Sequence, residues 1–161
     1  MRVPGGKIDA SSAVIVRPMS ASDCSAAQAI LEESPEASMW SQQSLLESAS
    51  QGNAWSAEVE GRVVGILVGQ IAVDEFEILN LAVGKVWRRR GVATQLVRAA
   101  LESARAAGVG KTYLEVRASN QSGIAFYTRL GFRVCGRRPN YYRKPADDAV
   151  LLVLQTHEWN Q

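Results

Sequence analysis

The sequence predicts a mixed α/β (α+β) fold, in which one mixed, mostly antiparallel sheet carries helices on both faces. Strand-like β-branched runs and segments with helical apolar spacing alternate along the 161 residues. The hydrophobic fraction of 47% and the charged fraction of 21% are typical of a globular protein. No apolar run approaches the roughly 18 to 20 residues of a membrane-spanning helix, so no membrane association is expected.

The first half of the chain is predicted to form one strand, two helices and three strands. Serines before the helices are good caps, and Glu60-Gly61 predicts a tight hairpin turn. In chain order the elements are a strand over 13–19, a helix from Ser20 or Ser22 to Glu33, a helix from Ser41 to about Gly52, and strands over 53–60, 62–73 and 75–83.

The second half is predicted to form helix, strand, helix and two strands. Apolar residues recur at helical spacing from Val92 to Ala107, and Gly108 ends that run. The remaining elements are a strand over 111–116, a short helix over 119–131, and strands over 132–138 and 148–159. Residues 1–12 are predicted to be a flexible lead without the apolar stretch of a secretory signal, and 13–161 a single domain. A cytoplasmic location is expected by default.

Cysteine and histidine are too sparse for several chemistries. Cys24 and Cys135 lie far apart, which favours two reduced thiols over a disulfide. His157 is the only histidine and lies near the end of the chain. Zinc chemistry and Ser-His or Cys-His catalysis are therefore not expected, and no metal is predicted. Proton transfer must use carboxylates, tyrosine, lysine or water.

The charges are unevenly distributed although the net charge is only +2. Residues 20–60 contain seven acidic residues and no Lys or Arg, whereas residues 129–144 contain six basic residues and no acid. Such segments are usually solvated faces, but they can also attract a charged partner. In such a role, the acidic segment would attract a basic partner.

The segment RRRGVA (88–93) leads from a predicted strand directly into the long helix. A helix N-terminus presents unpaired N–H groups and the positive end of the helix dipole, and Gly91 lets a ligand approach the backbone. The segment is thus either a phosphate cradle or a basic helix start that is merely solvated. It matches neither a P-loop nor a dinucleotide-binding turn.

The pattern Arg88-x-x-Gly91-x-Ala93 resembles the pyrophosphate-binding motif of the GNAT (Gcn5-related) N-acetyltransferases, R/Q-x-x-G-x-G/A. The strand ILNLAV (78–83) and the order of elements are also similar to that family. LEVRASN, IAFYTRLGF and RRPNYY resemble the RimI branch, the ribosomal-protein N-terminal alanine acetyltransferases. The resemblance implies a single acetyltransferase domain over 13–161, a sheet splayed between strands 4 and 5, and acetyl-CoA as the donor substrate.

This resemblance also implies which residues bind acetyl-CoA. The backbone of the fourth strand would pair with the pantetheine amides, the turn after it would hold the pyrophosphate, and Asn120 would contact the pantetheine arm. Asn120 can equally serve as a helix cap, and the two roles are compatible. The implied set is Leu81, Ala82, Val83, Arg89, Arg90, Gly91, Val92, Ala93, Thr94 and Asn120.

Acetyl transfer to an amine needs a base, because much of an α-amine is protonated at neutral pH, and an acid for the leaving thiolate. Glu115 alternates with Leu114 and Val116, and burial on a partly apolar face favours its use as a base. The resemblance makes Glu115 the general base, directly or through water, and Tyr127 the general acid. A Glu115–Arg117 ion pair and core packing of Tyr127 are the structural alternatives. Glu77, on the fourth strand, is a rival base.

The same resemblance assigns residues to the acceptor site. Trp40, after Met39 in place of the branch's proline, would line the peptide groove or simply pack. Tyr141 and Tyr142 lie in a loop predicted over 137–148 and would close over the peptide, with Glu77 nearby. The expected acceptor is a protein N-terminus, in particular that of a ribosomal protein, and the enzyme is expected to be a monomer.

Two other functions compete with this one. The same fold could acetylate a lysine side chain or a small amine. The basic 129–144 segment could instead bind RNA, but no RNA-binding motif supports it, and no direct nucleic-acid binding is expected.

Overall fold

The computed structural model describes residues 13–159. Its strands are β1 (Ile15–Pro18), β2 (Ala54–Val59), β3 (Arg62–Ala72), β4 (Glu75–Val83), β5 (Lys111–Arg117), β6 (Arg133–Arg143) and β7 (Ala146–Gln155). Its α-helices are α1 (Cys24–Glu32), α2 (Gln42–Ser50), α3 (Val92–Ala106) and α4 (Gln121–Arg129). Single turns of 3₁₀ helix lie at Ala21–Asp23, Lys85–Trp87 and Thr156–Glu158.

All seven strands join one sheet in the order β1-β2-β3-β4-β5-β7-β6. Only β4 and β5 pair in parallel, because α3 carries the chain back across the sheet between them. Helices α3 and α4 pack on one face, over the larger core, and α1 and α2 pack on the other face over β2, β3 and β4. The predicted mixed sheet with helices on both faces is confirmed.

The sheet forks between β4 and β5. The two strands pair only from Glu75–Ile78 against Lys111–Leu114, although β4 runs on to Val83 and β5 to Arg117. Directly after the last pair, β4 has one extra residue, Leu79, since Ile78 lies opposite Gly69 and Asn80 opposite Val68. Such a bulge bends its strand away from the neighbouring strand. The predicted splay is therefore present.

Only glycine fits opposite this bulge at position 69. A Cβ atom there would lie 2.4 Å from two ring carbons of Phe76 and 2.8 Å from the carbonyl oxygen of Glu77. Phe76 is 1% exposed and cannot move aside without opening the core. The close packing of β3 on β4 thus holds the bend that begins the fork.

The local signals for turns and caps correspond to the structure. The Ser41 hydroxyl accepts a hydrogen bond from the Ser44 N–H at 3.1 Å and caps α2. Glu60 and Gly61 both have positive φ angles, 50° and 79°, as the predicted tight hairpin requires.

Two boundaries near the C-terminus differ from the prediction. Residues 137–148 do not form a loop: β6 pairs with β7 through Arg138, bulges, and pairs again at Tyr142 and Arg143. Pro139 and Asn140 are typical of loops, but here they lie within the bulge. The final strand ends at Gln155 rather than at 159, because residues 156–158 form a 3₁₀ turn.

The predicted lead over 1–12 lies outside the described residues. Within residues 13–159, no helix is long and apolar enough to span a membrane.

Candidate active site

Glu115 stands at the opening of the fork. It directly follows Leu114, the last β5 residue that pairs with β4. Leu114 and Val116 are buried in the core beneath α3 and α4, so the intervening Glu115 points to the opposite face, as predicted. Its side chain is 21% exposed, which leaves the carboxylate accessible from the fork.

Two groups of β6 approach the Glu115 carboxylate. The Nε atom of Arg138 lies 3.0 Å from its Oε1 atom. The charge of Glu115 and a hydrogen bond with it raise the pKa of the Tyr141 phenol above its ordinary value. The structural alternative of a Glu115–Arg117 ion pair is not formed, because the Arg117 guanidinium donates to the carbonyl oxygens of Lys144 and Pro145 at the β6–β7 turn.

The bulge in β6 is held by one carboxylate. Asp148 accepts a hydrogen bond from the Asn140 N–H at 2.8 Å and another from the Arg137 Nε at 2.7 Å. Asn140 has a positive φ of 52°, so this carboxylate stabilises an unfavourable backbone. The bulge brings Tyr141 to the face of Glu115, an effect that sequence reasoning missed because it requires pairing between β6 and β7.

Tyr142 lies beside Tyr141, with the ring centroids 5.1 Å apart in an edge arrangement. The Arg117 guanidinium packs over the Tyr142 ring, with its central carbon 4.1 Å from the ring centroid. Arg117 therefore contacts the β6–β7 hairpin both at Tyr142 and at the turn. Tyr141 is 51% exposed, so it is the tyrosine of the pair that is more accessible to a ligand.

Tyr127 lies in the core on the face of the sheet opposite to Glu115. Its ring packs edge-on against Phe126 and Phe132, so the predicted core packing is present. Burial raises the pKa of its phenol above the ordinary value of 10.0.

Glu77 occupies a less open position than Glu115. It pairs with Tyr113, one step before the last β4–β5 pair, so it lies in the closed part of the sheet. Its carboxylate accepts a hydrogen bond from Gln70 at 3.0 Å. Both glutamates share one face, and both charges act on Tyr141, with Glu115 the larger contributor.

Beyond the last β4–β5 pair, every second residue of β4 directs its backbone N–H and C=O groups towards the fork. The Gly84 N–H donates to the Val64 carbonyl, which marks a hydrogen-bonded β3–β4 position. Hydrogen-bonded and open positions alternate in antiparallel pairs, so the Leu81 and Val83 backbones turn towards the fork and the Ala82 backbone towards β3. Leu81 and Val83 are thus the residues with backbone groups open to main-chain bonding, and the contact of Leu81, Ala82 and Val83 with the pantetheine amides stays a prediction.

The N-terminus of α3 presents free donors beside the fork. The first N–H bonded within the helix is that of Gln95, to the Gly91 carbonyl, and no side chain caps the helix. The N–H groups of Val92, Ala93 and Thr94 therefore have no intrahelical partner. Gly91 has a φ of 80°, and no atom lies within 4 Å of where its Cβ would be. This arrangement suits an anionic group.

The arginines before α3 have different roles. Arg88 donates to the Val83 carbonyl at 3.1 Å and to the Glu33 carbonyl at 3.1 Å, so it ties β4 to the end of α1. Arg89 has a positive φ of 63°, and the Arg90 guanidinium lies 5.3 Å from the Trp87 ring centroid. Arg89 and Arg90 are exposed next to the free N–H groups.

Asn120 caps α4. Its Oδ1 atom accepts a hydrogen bond from the Gly123 N–H at 3.0 Å. Gly123 makes room for this contact, since a Cβ there would lie 2.6 Å from the Asn120 Nδ2 atom. The cap leaves the Nδ2 group as a donor, so the cofactor contact remains possible and stays a prediction.

Trp40 is half-buried and packs against the core between the sheet and helices α1 and α2. The loop that carries it is anchored by Asn80, whose Nδ2 donates to the Ser38 carbonyl at 2.7 Å. Asn80 is 6% exposed, and sequence reasoning missed it. The sequence signal for its role is an amide side chain within an otherwise apolar strand, because a buried amide needs a hydrogen-bond partner.

A cavity of about 470 Å³ opens at the C-terminal end of β5. It lies between the α1–α2 loop, the start of α4 and the β6–β7 turn. Its lining residues are Pro35, Glu36, Arg117, Ser119, Asn120, Gln121, Ser122, Lys144 and Pro145. Among the described residues, no group of three or more His, Cys, Asp or Glu side chains could hold a metal ion.

A forked sheet with free helix donors and a carboxylate beside the fork is the arrangement expected of an acetyltransferase. The family model of the Acetyltransferase (GNAT) family matches residues 20–132, and the chain belongs to that family. The resemblance to the GNAT enzymes and their RimI branch, inferred from the sequence, is confirmed.

Curated relatives include the ribosomal protein bS18-alanine N-acetyltransferases of Salmonella typhimurium, 31% identical, and Escherichia coli K12, 30% identical. Each alignment spans 129 residues, 77% of this chain and 86% of the relative. The crystal structure of the Escherichia coli ribosomal-protein-S18-alanine N-acetyltransferase superposes with a TM-score of 0.79 at 26% identity, covering 92% of this chain and 97% of that one. The crystal structure of Ard1 from Thermoplasma volcanium superposes with a TM-score of 0.81 at 29% identity, covering 88% of this chain and 96% of that one.

Proposed function

We propose that this acetyltransferase moves the acetyl group of acetyl-CoA to the α-amine of a protein N-terminus, with an N-terminal alanine of a ribosomal protein as the acceptor. The relatives named above carry that activity in their names. The observation that supports it best in this chain is the position of Glu115, half-buried and directly beyond the last β4–β5 pair.

The residues of this chain fit acetyl-CoA. The unpaired N–H groups of Val92, Ala93 and Thr94, with Arg89 and Arg90 beside them, would hold the pyrophosphate. The backbone of Leu81 and Val83 would meet the pantetheine amides, and the Asn120 Nδ2 would contact the same arm. Bound there, the donor supplies an activated acyl group as a thioester.

The proton transfers are assigned to two side chains. Glu115 accepts a proton from the acceptor's ammonium, directly or through one water, because only the neutral amine can attack the thioester carbonyl. Tyr127 donates its phenolic proton to the departing thiolate. The raised pKa of Tyr127 keeps the phenol protonated until negative charge develops beside it.

The acceptor is proposed to lie in the cavity at the end of β5. Its N-terminus would reach Glu115 past Tyr141 and Trp40, and Glu77 and Tyr142 would line the groove. Glu36 is the one acidic residue of the 20–60 segment that lines that cavity, so the attraction of basic tails there would depend on it.

Mass spectrometry of an alanine-starting peptide tests the proposal. The peptide carries one internal lysine and is incubated with acetyl-CoA and the purified protein. We expect one acetyl group on the N-terminal fragment. A matched peptide with a blocked N-terminus should stay unmodified. Acetylation confined to the lysine would indicate the lysine acetyltransferase instead, and turnover of small amines only would exclude a peptide acceptor.

A further inference from the structure

We infer that Arg138 occupies the position at Glu115 that the acceptor's α-ammonium must take, and therefore weakens the binding of amine acceptors. The inference rests on the proposed role of Glu115 as the base. The Arg138 Nε and the Glu115 Oε1 are 3.0 Å apart, the distance of a charge-assisted hydrogen bond. An incoming ammonium carries the same charge and needs the same carboxylate.

Arg138 is able to leave. Its side chain is 55% exposed, whereas that of Glu115 is 21% exposed, so release returns the guanidinium to water while the carboxylate stays in the site. The Tyr141 ring, 5.9 Å from the guanidinium carbon, offers a second place for the released cation. Partly exposed ion pairs are weak, so the exchange is feasible.

The pairing of β6 with β7 holds the Arg138 backbone beside Glu115. Arg138 is the last β6 residue paired with β7 before the bulge, opposite Ala149. Asp148 holds the bulge through Asn140 and Arg137. Arg138 therefore remains next to the site whichever partner it has, and it can return to Glu115 as soon as the ammonium is gone.

This exchange distinguishes substrate from product. The acceptor's ammonium can replace the guanidinium, whereas the acetylated N-terminus is neutral and cannot pair with Glu115. Binding of the acetylated peptide therefore does not depend on whether Arg138 is paired with Glu115. Arg138 thus lowers the affinity for a charged N-terminus alone and reduces the difference in affinity between substrate and product.

The test compares Arg138→Gln with the parent protein, using CoA in place of acetyl-CoA so that no transfer occurs. The dissociation constants of the amine peptide and of its N-acetylated form are measured by calorimetry. We expect the variant to bind the amine peptide about two- to fivefold more tightly, the range of a partly exposed ion pair, and the acetylated peptide equally well. Arg138→Lys, which keeps the charge, should resemble the parent.

Arg133→Gln is the matched control, since it removes the same charge from the same strand at a position away from the fork. Unchanged or weaker binding of the amine peptide to Arg138→Gln would overturn the inference. An equal gain for both peptide forms, or an equal gain in Arg133→Gln, would also overturn it and indicate general electrostatics. Failure of the parent to acetylate any α-amine would instead reject the proposed function, and this inference with it.

Discussion

Glu115 and Tyr127 lie on opposite faces of the sheet. Glu115 projects away from the core that contains Leu114 and Val116, whereas Tyr127 is buried in that core. In a continuous sheet the two groups would be separated by backbone. β4 and β5 separate beyond Ile78 and Leu114, so the proposed roles of both groups require the thioester to lie in the fork, where the backbone no longer divides the two faces.

The first prediction separates the two candidate bases. Glu115→Gln should lower kcat by about 10²- to 10⁴-fold, the contribution of a general base. Glu77→Gln should stay within about threefold, since Glu77 lies in the paired part of the sheet. Steady-state rates with the alanine-starting peptide measure both. Full activity of a folded Glu115→Gln variant would remove Glu115 as the base.

The second prediction concerns Tyr127. Its ring packs against Phe126 and Phe132, and phenylalanine preserves these contacts. Tyr127→Phe should therefore keep the melting temperature while lowering kcat by about 10²-fold, because the leaving thiolate loses its proton donor. A kcat close to that of the parent would leave Tyr127 as a packing residue only.

The third prediction compares two glycines with the same backbone. Gly91 and Gly108 flank α3 with φ angles of 80° and 79°, and neither has an atom within 4 Å of its missing Cβ. Alanine at either site should cost about 1 kcal/mol of stability. Only Gly91→Ala should raise the KM for acetyl-CoA, by about tenfold, through a displaced donor to the pyrophosphate. Equal KM values in both variants would argue against a cradle at Gly91.

The fourth prediction is a pH dependence of stability at Asp23. Its carboxylate, 5% exposed, binds the Arg17 guanidinium at 2.6 Å and the Ser20 N–H at 2.8 Å. The Arg17 hydrogen bond, above all, holds the pKa of Asp23 well below its ordinary value of 3.8. This stabilisation is complete above that value and is lost as the pH falls below it.

Accordingly, Asp23→Asn should lower the free energy of unfolding by about 1 to 3 kcal/mol at pH 7. The difference from the parent should shrink steadily below about pH 4. Urea unfolding at several pH values measures it, with Asp74→Asn at the β3–β4 turn as the control. A difference independent of pH would show that Asp23 acts through packing.

The fifth prediction tests the anchor of the α1–α2 loop. Asn80→Ala removes the hydrogen bond to the Ser38 carbonyl and frees the loop that carries Trp40. The KM for the peptide should rise several-fold while the KM for acetyl-CoA stays the same. A rise in both constants would indicate that β4 itself is disturbed.

Local patterns in the sequence were sufficient for the elements and for part of the site. Helical periodicity located α3, and serine and glycine marked caps and turns, because these signals depend on residues a few positions apart. The Arg88-x-x-Gly91-x-Ala93 pattern likewise indicated the free N-terminus of α3. Alternation along β5 showed that Glu115 faces away from Leu114 and Val116.

Only the tertiary structure decided where the sheet opens and what surrounds Glu115. The fork depends on the register of β3, β4 and β5, and hydrogen bonds between distant strands set that register. The β6 bulge depends on Asp148, on another strand, and it brings Tyr141 to the carboxylate, whereas the β6–β7 register before the bulge positions Arg138 there. Such contacts join residues far apart in the chain, where no local pattern records them.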